Sequence, residues 1–213
     1  MRALRFLLPA ASLAAALLQG CAPAVMVGAG AAAVAFEDRR TTGAQIDDET
    51  IELRAGNRID DRFGSRVHVN VTSYNRYVLL TGEVPDDAAR GEVERIARGV
   101  TNVLGVTNDL QVAGISSATS RSNDTLLTTN VKARFLNSSK FSGLHVKVVT
   151  EAGVVYLLGI VTEPEAAEAV ELARTTSGVR KVVKMFEYCK PTDEVCAPRP
   201  PPKQTDQRPR SSP

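Results

Sequence analysis

One pattern of apolar and polar positions occurs twice between residues 46 and 190. At the start of both repeats, apolar residues lie four positions apart: Ile51, Ala55 and Ile59, and then Leu127, Val131 and Phe135. Apolar residues with this spacing line one face of an α-helix. Each repeat is therefore predicted to open with an amphipathic helix, and the Asp and Thr residues before each stripe suit helix capping.

Two runs rich in β-branched and aliphatic residues follow each predicted helix. In the first repeat they cover residues 67–72 and 77–84, and in the second 144–148 and 154–161. Short segments containing Asn or Gly separate the two runs, as tight turns require. Both pairs of runs are predicted to form β-hairpins.

A second helix and a last strand complete each repeat. Acidic residues at 85–87 and 162–165 favour helix starts, and β-rich runs follow at 106–112 and 182–188. The order αββαβ predicts an α+β fold in which a mixed sheet of three strands is covered by two helices.

The two copies align with an offset of 77 residues over the hairpins and 76 over the first helices, as expected for a duplicated module. We assign residues 46–114 to a first domain and residues 123–190 to a second domain. The polar residues 115–122 between them are predicted to be a linker.

The first twenty residues have the pattern of an export signal. Arg2 and Arg5 precede an apolar stretch from residue 6 to 18 that is short for a membrane span. The segment ends Leu18-Gln19-Gly20-Cys21, which resembles a bacterial lipobox. We expect cleavage before Cys21 and lipidation of its thiol, which gives a strong membrane anchor; the alternative is a cysteine that happens to follow an ordinary signal.

The two ends of the mature chain differ from the repeats in composition. Residues 21–45 include a small, apolar, Gly-containing stretch and are predicted to form a tether close to the membrane, with a second buried helix as the alternative. Residues 191–213 hold seven of the eleven prolines and are predicted to be a disordered tail. Cys189 and Cys196 flank the start of this tail; an exported protein favours a disulfide between them, and free thiols are the alternative.

Candidate chemistry in the sequence is sparse. His68 and His145 occupy equivalent strand positions whose alternation points away from the helices, and one histidine per domain provides neither a metal-ligand cluster nor a catalytic group. Common catalytic and nucleotide-binding motifs are absent from the sequence. We expect no enzyme activity, no cofactor and no metal.

The charge distribution disfavours nucleic acid as a partner and suggests an anionic membrane. Removal of Arg2 and Arg5 with the signal leaves 24 basic against 24 acidic residues, which disfavours nucleic-acid binding through bulk charge. Residues 47–113 carry 8 basic and 12 acidic side chains, whereas residues 124–190 carry 9 and 7. If either domain faces an anionic membrane, it is the second one.

The first helix of the second domain carries apolar residues beyond its core stripe. Leu126, Thr129, Ala133 and Leu136 lie about 180° to 260° around the helix from Leu127. Thr50 aligns with Leu126, so the shared core does not require a leucine there. With Lys132 and Lys140 close by, this strip is predicted to meet a membrane surface; the alternative is that Leu136 packs against the first domain.

The repeats resemble the BON-domain family. The resemblance rests on Gly82 and Gly159 near the ends of aliphatic strands, and on Gly178-Val179 before the strand that begins at Val182. Two such copies behind a lipobox resemble the dual-BON outer-membrane lipoproteins, which implies an anchored, periplasm-facing protein that supports envelope integrity, at the division site.

The resemblance also implies a partner and its contact residues. In the dual-BON lipoproteins, the first helix of the second BON domain contacts anionic phospholipid, such as phosphatidylglycerol or cardiolipin. Carried over by position, the contacts are Leu126, Thr129, Val131 and Leu136. The alternative is an adaptor that binds envelope or cell-wall proteins, in cell-wall hydrolase regulation or outer-membrane protein assembly.

Overall fold

The computed structural model describes residues 38–197. The predicted signal, Cys21, residues 21–37 of the tether and residues 198–213 of the tail lie outside the described residues. Within the described range, no helix has both the length and the apolar character needed to span a bilayer.

The first domain follows the predicted order of elements. Its helices and strands are α1 (Thr42–Phe63), β1 (His68–Tyr74), β2 (Tyr77–Val84), α2 (Asp87–Arg98), β3 (Gly105–Asn108) and β4 (Gln111–Val112). β1 pairs antiparallel with β2, whereas β3 and β4 pair parallel with β2. The predicted last strand is thus interrupted into two short strands, and the sheet is mixed.

The second domain repeats this arrangement with an uninterrupted last strand. Its elements are α3 (Ala118–Leu136), β5 (Val146–Glu151), β6 (Val154–Val161), α4 (Glu163–Arg174) and β7 (Lys181–Tyr188). β6 lies between β5, which is antiparallel to it, and β7, which is parallel to it. The α+β fold of two αββαβ domains is confirmed.

The two hairpin turns are held by equivalent aspartates. The Asp48 carboxylate accepts hydrogen bonds from the backbone N–H groups of Asn75 and Arg76, both of which have positive φ. Asp124 accepts from the N–H groups of Ala152 and Gly153 in the second domain. Each domain thus ties its hairpin turn to its first helix through one buried carboxylate.

The two faces of each sheet pack against different partners. Val78 and Leu80 of β2 lie in a core with α1 and α2, and Val155 and Leu157 of β6 lie in an equivalent core with α3 and α4. The alternate residues point the other way, because side chains along a strand alternate between faces. These residues join the two sheets in a third apolar cluster, whose buried members are Tyr74, Leu79, Tyr156, Leu158, Ile160 and Cys196.

Several boundaries differ from those read from the sequence. α1 begins at Thr42, inside the predicted tether, and α3 begins at Ala118, inside the predicted linker. Their N-cap side chains, Thr41 and Ser117, accept hydrogen bonds from the first turns and explain the earlier starts. Residues 191–197 form turns, and a disulfide joins Cys196, which lies in the third apolar cluster, to Cys189.

Candidate functional site

The outward-facing side of α3 carries two exposed leucines. Leu126 is 62% exposed and Leu136 is 66% exposed, and Thr129, Lys132 and Ala133 are also exposed. We call these five residues the outer face of α3. Leu136 therefore does not pack against the first domain, which excludes the alternative raised for it.

Val131 does not belong to this surface. Its side chain is fully buried, and it packs in the core of the second domain with Phe135. The prediction that Val131 contacts lipid is therefore wrong, because Val131 lies on the core stripe of the helix. Direct contact with lipid would require Val131 to leave the core, and removing a valine side chain from a core costs free energy.

The two lysines near the outer face differ in their partners. Lys140 lies beyond the C-terminal end of α3, and its ammonium forms an ion pair with Glu168 at 2.8 Å. Among residues 38–197, no ion pair involves the ammonium of Lys132, which is exposed on the helix itself. Lys132 is thus better placed than Lys140 to bind an anionic group, because the ammonium of Lys140 is already paired with Glu168.

His145 lies in a network that already contains a cation. Its Nδ1 is 3.0 Å from Glu165 Oε1, and the Arg39 guanidinium donates to both Glu165 carboxylate oxygens. Burial alone would raise the pKa of Glu165, but hydrogen bonds from Arg39 and Thr162 and the Arg39 charge lower it to about 2. Arg39, which precedes α1, thereby connects the N-terminal segment to the second domain.

His68 faces the second domain. Its Nδ1 is 2.9 Å from Glu83 Oε2 on the neighbouring strand, and Glu151 of the second domain completes a group whose ligand-type atoms lie within 4.8 Å of one another. We call His68, Glu83 and Glu151 the interdomain cluster. Asn70 donates to Glu151 at 2.7 Å, and the backbone N–H of Ser116 donates to Glu83 at 3.1 Å.

The carboxylate of Glu151 lies in an unfavourable environment for its charge. Burial raises the pKa of Glu151, the hydrogen bond from Asn70 and the His68 charge lower it, and the charges of Glu83 and Asp124 raise it again. The net result is a pKa above the ordinary value for a glutamate. The cluster thus brings two buried carboxylates together with an imidazole.

The sequence analysis missed the interdomain cluster because it treated each domain separately. Alternation along β1 did predict that His68 points away from the helices. Nothing in the sequence indicated that this side of the sheet packs against the second domain, where Glu151 lies. A usable signal was Glu83, an acidic residue inside an otherwise apolar strand that aligns with Ile160 in the second copy.

Comparison with known proteins places this architecture in a family. The model for the BON domain matches residues 47–114 and 123–190. The chain belongs to the BON-domain family. The two matched ranges coincide with the two αββαβ domains described above.

Three relatives are similar over much of their length. The chain is 42% identical over 173 residues to the outer membrane lipoprotein DolP of Haemophilus influenzae, covering 80% of this chain and 90% of that protein. It is 33% identical to the 21 kDa hemolysin of Actinobacillus pleuropneumoniae, over 71% of this chain and 79% of that protein. It is 30% identical to the osmotically-inducible protein Y of Escherichia coli, over 66% and 72%.

These similarities also assign a location. Identity of 42% over most of an outer membrane lipoprotein, together with two BON domains, supports an outer-membrane location for this DolP-like chain. Cys21, the predicted lipidation residue, lies outside the described residues.

Proposed function

We propose that this BON-domain lipoprotein is not an enzyme and that its second BON domain binds anionic phospholipid through the outer face of α3. The observation that carries the proposal is the pair of exposed leucines, Leu126 and Leu136, on a helix face that also presents Lys132. An apolar strip beside a basic residue is the composition of a helix that lies in a membrane interface.

The expected strength of such a contact is modest. Burial of each leucine contributes about 2 kcal/mol, and a lysine near an anionic surface adds about 1 kcal/mol. Together these contributions correspond to a dissociation constant on the order of 0.1–1 mM. Weak binding of this kind is sufficient for a protein whose lipid anchor already holds it at the membrane, because the local concentration is high.

Charge supports the choice of the second domain. Residues 124–190 carry an excess of basic side chains, and residues 47–113 carry an excess of acidic ones. Phosphatidylglycerol and cardiolipin, which are anionic, are the proposed ligands. In keeping with its family, the protein would use this contact to support envelope integrity at the division site.

Vesicle flotation of the mature chain carrying Cys21→Ser tests the proposal without a contribution from the anchor. Binding to vesicles that contain phosphatidylglycerol is expected to exceed binding to phosphatidylcholine vesicles. The double variant Leu126→Glu with Leu136→Glu is expected to show no measurable binding. Loss of the burial of two leucines removes about 4 kcal/mol, which is a several-hundredfold loss of affinity, and the two added negative charges are repelled by the anionic surface.

The first domain provides a matched control. Ile46 and Leu53 lie on α1 and are 60% and 64% exposed, which is close to the exposure of the two leucines on α3. The double variant Ile46→Glu with Leu53→Glu is expected to bind vesicles like the parent. Equal losses in the two double variants, or normal binding by the α3 variant, would contradict the proposal.

Crosslinking distinguishes lipid from protein as the partner of this face. A photo-reactive amino acid at position 126 in the intact lipoprotein is expected to form phospholipid adducts in cells. Protein adducts without lipid adducts would favour an adaptor for cell-wall hydrolase regulation or outer-membrane protein assembly instead.

A further inference from the structure

A histidine and two buried glutamates from different domains meet at the interface between the two sheets. His68 and Glu83 come from β1 and β2 of the first domain, and Glu151 is the last residue of β5 in the second. Their ligand-type atoms lie within 4.8 Å of one another. We propose that the interdomain cluster binds one divalent transition-metal cation, Zn²⁺, which bridges the two BON domains.

The first argument is an unbalanced charge. Glu83 and Glu151 are only 6% and 7% exposed, yet among residues 38–197 no lysine or arginine forms an ion pair with either carboxylate. Buried carboxylates are normally paired with cations or coordinate metals. In the described part of the chain, the imidazole of His68 is the only basic group that pairs with Glu83. The same imidazole also interacts electrostatically with Glu151.

The second argument comes from the equivalent histidine. His145 also lies beside a glutamate, Glu165, but there the guanidinium of Arg39 supplies the cation through two hydrogen bonds. Near His68, no lysine or arginine among the described residues pairs with Glu83 or Glu151. Arg121 and Arg180 line the neighbouring cavities but donate instead to the carbonyls of Ser116 and Ala152. A metal ion at the interdomain cluster would do for Glu83 and Glu151 what Arg39 does for Glu165.

The donor atoms fit zinc better than the common hard cations. One imidazole nitrogen and two carboxylates are ordinary zinc ligands, whereas Ca²⁺ and Mg²⁺ require six or more oxygen ligands. Zinc bonds of about 2 Å at tetrahedral angles place neighbouring ligand atoms about 3.3 Å apart. The present 2.9 Å between His68 Nδ1 and Glu83 Oε2 would open by a few tenths of an ångström, and the longest separation in the cluster, which is within 4.8 Å, would shorten as the side chains close on the ion.

The surroundings orient the ligands and leave an open side. Asn70 donates to Glu151 and the Ser116 N–H donates to Glu83, and hydrogen bonds of this kind fix the direction of metal-binding carboxylates. A cavity of about 230 Å³ borders the cluster and is lined by His68, Asn70, Arg121, Asp124 and Glu151 among others. It provides access for the ion and room for a water ligand.

The site would exist once per chain, despite the internal duplication. At the 77-residue offset, Glu83 aligns with Ile160 and Glu151 aligns with Tyr74, so neither domain carries the full set of ligands. A metal ion bound there requires the two domains to be packed as they are in this structure. Metal binding and domain packing should therefore stabilise each other.

Isothermal titration of the untagged, detergent-solubilised lipoprotein with ZnCl₂, after EDTA treatment and dialysis, tests the proposal. We expect one Zn²⁺ per chain, with a dissociation constant on the order of micromolar or tighter, and no detectable binding of Ca²⁺ or Mg²⁺. A rise in melting temperature with Zn²⁺ that EDTA reverses is expected in parallel.

Two variants and one matched control locate the ion. His68→Gln and Glu151→Gln, checked for folding by circular dichroism, are expected to weaken zinc binding at least about tenfold. His145→Gln removes the equivalent histidine of the second domain and is expected to leave zinc affinity unchanged. Glu151→Gln retains an acceptor for Asn70, so its effect reports the lost charge.

A spectroscopic measurement on the unaltered protein keeps the test independent of the variants. X-ray absorption at the zinc edge is expected to show one imidazole and oxygen ligands without sulfur. Absence of stoichiometric binding, a spectrum without imidazole, or full affinity in folded His68→Gln would each overturn the proposal.

Discussion

Gly82 occupies a backbone position that other residues cannot easily take. Its φ is +113°, and a Cβ atom there would overlap the carbonyl oxygen of His68 on the neighbouring strand. Gly159 is placed in the same way against the carbonyl of His145 in the second domain. Glycine is needed at both positions because β1 and β2, and the equivalent segments of the second domain, approach closely there.

Gly82→Ala is expected to lower the free energy of unfolding by about 3 kcal/mol, because positive φ and steric overlap with backbone add together. Urea denaturation monitored by circular dichroism measures the change. Gly56→Ala is the matched control: Gly56 lies in the middle of α1, and its Cβ would meet nothing within 4 Å. There the same substitution is expected to stabilise by about 0.5–1 kcal/mol; similar losses at both positions would refute the steric argument.

At the scale of elements, the start of α4 is tied to a distant part of the chain. The N–H and the hydroxyl of Thr162 both donate to Glu165, at 2.8 and 2.9 Å, and Arg39 donates to the same carboxylate. Arg39 also donates to the carbonyl of Ile160 at the end of β6. One carboxylate thus caps a helix and holds the segment before α1.

This network predicts a specific acid sensitivity. The pKa of Glu165 is lowered to about 2 in the folded protein, against 4.5 for the unfolded reference. A lowered folded-state pKa stabilises the protein above pH 4.5, and this stabilisation disappears as the pH falls toward 2. The contribution is on the order of 3 kcal/mol.

Urea unfolding of the parent and of Glu165→Gln at a series of pH values between 7 and 2 measures this contribution. The variant is expected to be less stable at pH 7 and to approach the parent at pH 2. Glu163→Gln changes an exposed glutamate of the same helical turn and should leave the pH profile as in the parent. Parallel profiles for Glu165→Gln and the parent would show that this carboxylate contributes no such stability.

At the scale of the whole molecule, the two sheets pack against each other through their helix-free faces. Leu79 of the first domain and Leu158 of the second are both buried in the third apolar cluster. Polar contacts surround it, including the bond from the Tyr156 hydroxyl to Asp109 at 2.6 Å and the ion pair of Lys147 with Glu52. Each domain nevertheless has its own core between sheet and helices.

Leu158→Asp is expected to separate the domains without unfolding either core, because it places an unpaired charge in the shared cluster. Small-angle X-ray scattering should show a larger radius of gyration, and thermal unfolding should divide into two transitions. Leu104→Asp changes an exposed leucine and is expected to preserve one compact particle. A compact Leu158→Asp variant with a single transition would contradict this account of the interface.

The sequence predicted the features that depend on local spacing. The stripe of Ile51, Ala55 and Ile59 identified α1, and alternation identified the hairpins, because helical and strand periodicities are properties of neighbouring residues. The outer face of α3 was found in the same way. The predicted first residues of α1 and α3 lie several positions too late in the chain. Thr41 and Ser117 lie in polar stretches that offer several possible N-caps, so the sequence alone does not select between them.

By itself, then, the sequence determined two αββαβ domains and the exposed leucines of α3, because these follow from periodicity and duplication. Only the tertiary structure decided that Val131 is buried, that Leu136 is free of the first domain, and that the sheets meet face to face. It also brought His68 and Glu83 to Glu151. Contacts between residues so distant in the chain depend on how the two domains pack, and no local pattern encodes that packing.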